Sequence, residues 1–470
     1  MKKMLIGILA GAFLIAFCGV AAAQWETSGS TMPGPGNEAG KAFFIDGKIY
    51  AIGGFDSATF TFSDAVRIFD PVTDTWTSGA TAPIKLTRYA AATDGEKIYF
   101  IFGIDDGAST TVVNIYDPAT DSWSTGAAVT LAEGVQAAFD PVSGYIYTWG
   151  RGLPTKVYDP ETDTFESDVA TQPGGDFLTC GGVIGGDLVV AGGVDSLIFS
   201  PPPLTPEALD IGAGTWSTLS PVAPLGRWDH GCALYSDELY VLGGRFAGWD
   251  DFLDDVYTFA PAKGTWTAID SLPVAVAGAW AVNAENYLFA GGGRITAGQN
   301  TTTYYLKMAN ADPEITSDAV TEVVADDLYE YDVEAFDIDF YDELEFELLD
   351  GPMGMVIDSV TGEITWDTTD VDPDDYDVEV SVDDGDTPKG TDTQAFTVTV
   401  TAPGDDDTTG DDDTGDDDTG DDDTGDDDTG DDDAADDDAA DDDATDDDAT
   451  DDDTAPIGGD DDDDDSGCGC

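Results

Sequence analysis

The chain has 470 residues and a formal net charge of −83, from 99 aspartates and glutamates against 16 lysines and arginines. That length leaves room for two or three domains, and a surface so acidic excludes nucleic acid and anionic membranes as electrostatic partners. The charge is uneven, yet it is not confined to one segment: the tail from Asp405 holds 36 aspartates, and without them 63 acids still face 16 bases.

In chain order, the first element is an export signal. Lys2 and Lys3 precede an apolar stretch over residues 4–19, and Ala21-Ala22-Ala23 supplies a cleavage site after residue 23, so the mature chain starts at Gln24. The rival reading is a lipoprotein signal through Cys18, which has Phe17 where a small residue is usual. No later segment reaches the ~18 consecutive apolar residues that a spanning helix needs. The expected location is therefore outside the cytoplasm, secreted or at the cell surface.

From Ile49 to Gly292 one pattern recurs. An apolar strand ends at a glycine-pair position, and a second strand, a tight turn and an aromatic residue follow. The glycine-pair positions begin at Gly53, Phe102, Gly150, Gly192, Gly243 and Gly291, spaced by 49, 48, 42, 51 and 48 residues. The paired aromatics are Trp76, Trp123, Phe165, Trp216 and Trp266, with Trp25 left over upstream. Stretches such as Ile49-Tyr50-Ala51-Ile52 and Leu239-Tyr240-Val241-Leu242 read as inner strands buried on both faces. Turns such as Asp70-Pro71-Val72-Thr73-Asp74-Thr75 combine a proline-set φ with side chains that bond to free backbone groups. A repeat of this length with several short strands per unit predicts propeller blades.

These units resemble kelch repeats in their glycine pair, Tyr-Asp-Pro turn and spaced tryptophan. Arg227-x-x-His230 ahead of Leu239-Tyr240-Val241-Leu242-Gly243-Gly244 is the fullest copy; Phe102-Gly103 and Gly150-Arg151 depart from the glycine pair, and Pro201-Pro202-Pro203 is an insertion. The last unit has no closing tryptophan, whereas Trp25-Glu-Thr-Ser-Gly matches Trp76-Thr-Ser-Gly. The strand at Trp25 is therefore expected to complete blade 6 of a six-bladed propeller over residues 24–310, leaving no loose seam.

Chemistry-bearing residues are few. His230 is the one histidine, which excludes multi-histidine metal centres; it occupies the histidine position of the kelch pattern and is expected to be a packed blade residue. Arg151, Arg245 and Arg294 fall at or just after the glycine-pair position of blades 3, 5 and 6, with Trp149 and Trp249 nearby. Loops in equivalent positions open on one propeller face, so the three guanidiniums are candidates for an acidic-sugar or carboxylate site, against the plainer expectation that each pairs locally with an acid. Cys180 and Cys232 lie in neighbouring blades, either as two small buried residues or as a disulfide formed after export.

Over residues 311–402 the period changes to two: Tyr329, Tyr331 and Val333 alternate with acids, as do Tyr376, Val378, Val380 and Val382. This predicts a β-sandwich. Pro313-Glu-Ile-Thr-Ser, Ala335-Phe-Asp337-Ile-Asp339 and Ile357-Asp-Ser-Val-Thr361-Gly362-Glu-Ile-Thr-Trp366 resemble cadherin-like or Ig-like modules of bacterial surface proteins. Asp312, Asp337, Asp339, Asp342, Asp383 and Asp384 are oxygen donors of the kind Ca2+ takes, and the resemblance implies Ca2+ as the one expected cofactor.

Residues 403–470 repeat Asp-Asp-Asp-Thr-Gly and related units with almost nothing to bury; they read as a disordered, charge-stretched spacer. The terminal Cys468-Gly469-Cys470 resembles the start of a bacterial surface-sorting signal and suggests attachment there. The fold class is thus all-β: a six-bladed kelch-type propeller, an Ig-like or cadherin-like sandwich and an acidic tail. The expected function is an exported binding or adhesion protein for an extracellular protein or glycan. Two alternatives are a carbohydrate-active enzyme on the propeller, of acidic-sugar epimerase or hydrolase type, and a structural envelope protein.

Overall fold

The structure is a computed structural model that describes residues 24–403, except 35–36, 57, 106–107, 110, 129–134, 151, 175–177, 195–204, 222–225, 247, 387. The export signal with Cys18, Arg151, the Pro201-Pro202-Pro203 insertion, the acidic tail, Cys468 and Cys470 lie outside the described residues. Those described form strands and turns without a helix, and none of them makes a helix long and apolar enough to cross a membrane.

Among the described residues, 26–307 form six antiparallel sheets of four main strands each, with three two-stranded ribbons beside them. In the first sheet the order is Lys41–Ile45, Lys48–Ile52, Val66–Asp70, Thr75–Ser78. The strand that ends at the glycine pair is therefore second in its sheet. The innermost strand is the one before it, and this corrects the reading of Ile49 to Ile52 as the inner strand. The period could not separate the two, because both are enclosed by neighbouring blades and both read as apolar. The innermost strands are the ones with small residues, such as Ala42, Ala137, Gly181, Gly182 and Ala233, where the blades crowd towards the axis.

The ring closes through the N-terminal strand. Glu26–Thr31 pairs with Thr302–Lys307, the third strand of the last sheet. Trp25 donates its indole N–H to the carbonyl of Asp270 at 2.9 Å, as Trp123 does to Ala80 at 2.9 Å and Trp266 to Pro221 at 3.1 Å. The same indole-to-preceding-blade bond thus recurs around the ring. A second recurring bond comes from the turns. Asp74, Asp121 and Asp163 adopt positive φ of 47°, 46° and 52°. The last two reach the backbone N–H groups of Ala80 and Ala127 at 2.6 Å, and Asp74 reaches Gly29 at 2.6 Å. Local turn chemistry therefore also ties blade to blade. Between blades the core is apolar: Ile49, Ala51 and Phe69 pack with Trp280 and Phe289 across the closing seam. Ile49, Phe69 and Phe289 each contribute roughly 1.5–3 kcal/mol when removed from water.

The following module is a two-sheet sandwich. One sheet runs Glu322–Val324, Thr391–Thr401, Asp375–Asp383, Glu345–Asp350, its first pair parallel; the other runs Leu328–Asp332, Glu363–Asp367, Val356–Ile357. Tyr329, Ile364, Trp366, Val380 and Val398 fill the space between them, which is what period-two alternation requires. Phe340 and Tyr341 pack against the propeller: Tyr341 stacks on Tyr305 at 4.1 Å and Phe340 on Tyr287 at 5.6 Å.

Candidate functional site

The described loops after the glycine pairs of blades 1, 5 and 6 meet around Arg245. Gly244 has φ of +103°, and a Cβ there would lie 2.9 Å from the Trp228 carbonyl oxygen. Glycine therefore lets the chain turn tightly enough to pair Arg245 with Trp228. The Arg245 side chain is fully buried and spans two carboxylates, Glu38 from blade 1 and Asp229 from blade 5; its Nε donates to Asp229 Oδ2 at 2.8 Å. A further N–H meets the Trp249 carbonyl, and the guanidinium lies 5.3, 5.7 and 5.1 Å from the rings of Trp228, Trp249 and Phe252. Arg294 reaches the same Phe252 at 5.9 Å and pairs with Asp250 at 3.0 Å.

Two of the sequence-selected arginines therefore do converge, but each already holds an acid. Among the described residues, two carboxylates meet the Arg245 guanidinium and one meets Arg294. Trp249 is 53 % exposed and stands edge-on to Trp228 at 5.1 Å. Trp149, by contrast, ends a second strand, is buried, and donates to Thr179 Oγ1 at 2.9 Å. Its role is in the blade core.

Beside Arg245 lies a cavity of about 170 Å³ lined by Glu38, Phe55, Phe62, Trp228, Asp229 and Trp249. Phe60, 80 % exposed, meets Phe55 edge-on at 6.1 Å and extends the aromatic rim. Sequence reasoning missed Glu38, Phe55, Phe60 and Phe62, which lie in blade 1 and join the site only when the ring closes. His230 is buried, and burial, then Arg227, push its pKa down to about 3. Neutral and packed, it matches its expected place as a blade residue.

At the other end of the same strands, acids collect around Lys307. Its ammonium contacts Asp339 at 3.2 Å, Asp342 at 2.8 Å and Asp386 at 2.6 Å. Asn286 of the propeller donates to Asp339 at 2.9 Å, and Asn310 to Asp384 at 2.6 Å. Burial works to lower the Lys307 pKa, but Asp342 and Asp386 outweigh it and raise it. Burial pushes Asp342 up to about 6 against the pull of Lys307. Burial also raises Asp337, whose Oδ2 is enclosed without a hydrogen-bond partner.

Of the six sequence-selected aspartates, Asp337, Asp342 and Asp384 bring carboxylate oxygens within 4.8 Å of one another. That orphaned oxygen and the all-oxygen donor set fit Ca2+. Asp339 is committed to Asn286, Lys307 and the Ala311 N–H, Asp383 pairs with Lys389 at 2.8 Å, and Asp312 lies beside Asp384 at Gly390. Asp386 and Lys307 were not singled out from the sequence; Lys307 ends the last propeller strand, and nothing local marks it.

Comparison with known proteins agrees with this architecture. The family described as "Kelch motif" matches residues 41–83, and "Putative Ig domain" matches 312–401. The chain carries kelch repeats followed by an Ig-like module. It is 26 % identical over 263 residues to "Kelch-like protein terF" of Aspergillus terreus (strain NIH 2624 / FGSC A1156), covering 54 % of this chain and 49 % of that protein. The chain thus spans about half the length of this curated relative.

Proposed function

We propose that this is an exported binding protein whose kelch propeller recognises a protein segment through the loop face at Arg245, with a cationic side chain of the partner entering beside Trp249. Kelch repeats point to a protein-binding propeller. The observation that carries the finer reading is the exposed Trp249 beside a cavity that also takes in Phe55, Phe62 and Trp228: an aromatic face suits a cation, and a chain of 99 acids and 16 bases draws one. Export rests on the Lys2-Lys3 and Ala21-Ala22-Ala23 pattern. The Ig-like module carries the propeller, and Ca2+ would be held by Asp337, Asp342 and Asp384, adding a second cation beside Lys307.

Selection from a displayed peptide library at about 0.3 M salt, where free charges are screened, tests the partner class without capture by the acidic tail. Lysine- or arginine-containing peptides should be enriched and lost on Trp249→Ala. Enrichment of acidic peptides, or binding only to glycans, contradicts the reading. Turnover of a bound sugar would favour the enzyme alternative.

A further inference from the structure

The six innermost strands surround a second cavity of about 400 Å³ on the propeller axis. Three groups in it have no role in the site above. Lys41 donates to Gln136 Oε1 at 2.6 Å and, among the described residues, makes no ion pair, in a chain of 99 acids and 16 bases. Cys180 begins the innermost strand of blade 4, and Cys232 is the second residue of the innermost strand of blade 5. Both are free thiols, both line the cavity, and they pack in one cluster.

The two thiols are not equivalent. The neighbouring thiols affect each other: burial, then Cys232, push Cys180 up, whereas Cys180, with Lys41 adding to it against burial, holds Cys232 down. Lys41 is itself lowered by burial, with the two thiols opposing. Of the other ionisable groups around the thiols, Arg227 acts on Cys180 and His230. Asp229, His230 and Tyr89 line the cavity; Asp229 is held by Arg245. Cys180 is buried and Cys232 only partly so, so a disulfide entering the cavity meets Cys232 first, with Cys180 behind it.

We propose that the axial cavity is a thiol–disulfide exchange site for a small, carboxylate-bearing disulfide, with Cys232 as nucleophile, Cys180 as resolving thiol and Lys41 as the anchor for the ligand carboxylate. The Cys232 thiolate attacks one sulfur of the ligand R–S–S–R. A Cys232–S–S–R bond forms, the ligand S–S bond breaks, and RS− leaves with the electron pair. Cys180 loses its proton to the departing thiolate or to water and attacks the Cys232 sulfur. The Cys180–Cys232 bond forms and the second RS− leaves. The protein is oxidised by two electrons, the ligand is reduced to two thiols, and blades 4 and 5 become cross-linked at their innermost strands.

The test uses the full chain, reduced and desalted, treated with 3,3′-dithiodipropionate, neutral bis(2-hydroxyethyl) disulfide or cationic cystamine. Peptide-resolved mass spectrometry separates Cys180 and Cys232 from Cys18, Cys468 and Cys470. The wild type should give a Cys180–Cys232 cross-link, fastest with the dicarboxylate. Cys180→Ser and Cys180→Ala should each trap the mixed disulfide on Cys232, while in Cys232→Ser the more deeply buried Cys180 should react about tenfold or more slowly than Cys232 does in the wild type. Lys41→Met should move the midpoint of the pH–rate profile upward and remove the preference for the dicarboxylate. Equal rates at the two cysteines, first attack by Cys180, or reaction only in denaturant overturns the proposal.

Discussion

The two ends of the propeller solve the same electrostatic problem in different ways. At the loop end, Arg245 is clasped by Glu38 and Asp229; at the module end, Lys307 is clasped by Asp339, Asp342 and Asp386. In each case, among the described residues, one cation meets more than one carboxylate. The loop end stays open, with Trp249 and Phe60 exposed beside a cavity. The module end is closed by Tyr341 on Tyr305 and Phe340 on Tyr287. On the proposal made above, what marks the binding surface in this acidic chain is the uncovered aromatic area and not the buried cation beside it.

The comparison can be broken at each end. Arg245→Met should have the largest effect: it takes the guanidinium away from Glu38 and Asp229 in a buried site and should cost about 4 kcal/mol in chemical denaturation. Lys307→Met should cost somewhat less, about 3 kcal/mol, because its side chain is 23 % exposed whereas that of Arg245 is fully buried. Its signature should be separation of a single unfolding transition into one for the propeller and one for the Ig-like module. Equal stability of wild type and variant would show that this junction is not held by the lysine.

Acid should act through His230. Its folded-state pKa of about 3 lies below the ordinary 6.5, so the unfolded chain binds a proton that the folded chain refuses. Its contribution is intact above pH ~6.5 and is lost as pH falls towards ~3, at up to about 1.4 kcal/mol per pH unit. His230→Gln should flatten that slope in melts at successive pH values. The smallest stability effect is expected of Trp249→Ala, within about 0.5 kcal/mol for an exposed loop residue, although peptide binding should fall by tenfold or more because it removes a central aromatic contact.

The sequence made the blades legible because their signals are local. A glycine pair, an Asp-Pro turn and a tryptophan lie within one repeat, and even the closing strand could be traced from Trp25. It did not distinguish the innermost strand from the second, since both are buried. The site was only half legible. Equivalent register placed Arg245 and Arg294 together, but their neutralising partners were hidden: Glu38 is 207 residues from Arg245. Trp149 and Trp249 looked alike beside their glycines, yet one ends a strand and turns inward while the other rides a loop. The aspartates of the module were visible as a donor set, whereas Lys307 and Asp386, which complete the junction, meet 79 residues apart.

The most direct test of the contrast between the two ends is hydrogen–deuterium exchange of the full chain with and without a basic peptide selected as above, at about 0.3 M salt to screen the tail. Protection should appear in the loops at 55–62 and 245–252 and leave exchange unchanged at 286, 307 and 339–342. Protection confined to the module junction, with the loop face unaffected, would contradict the account.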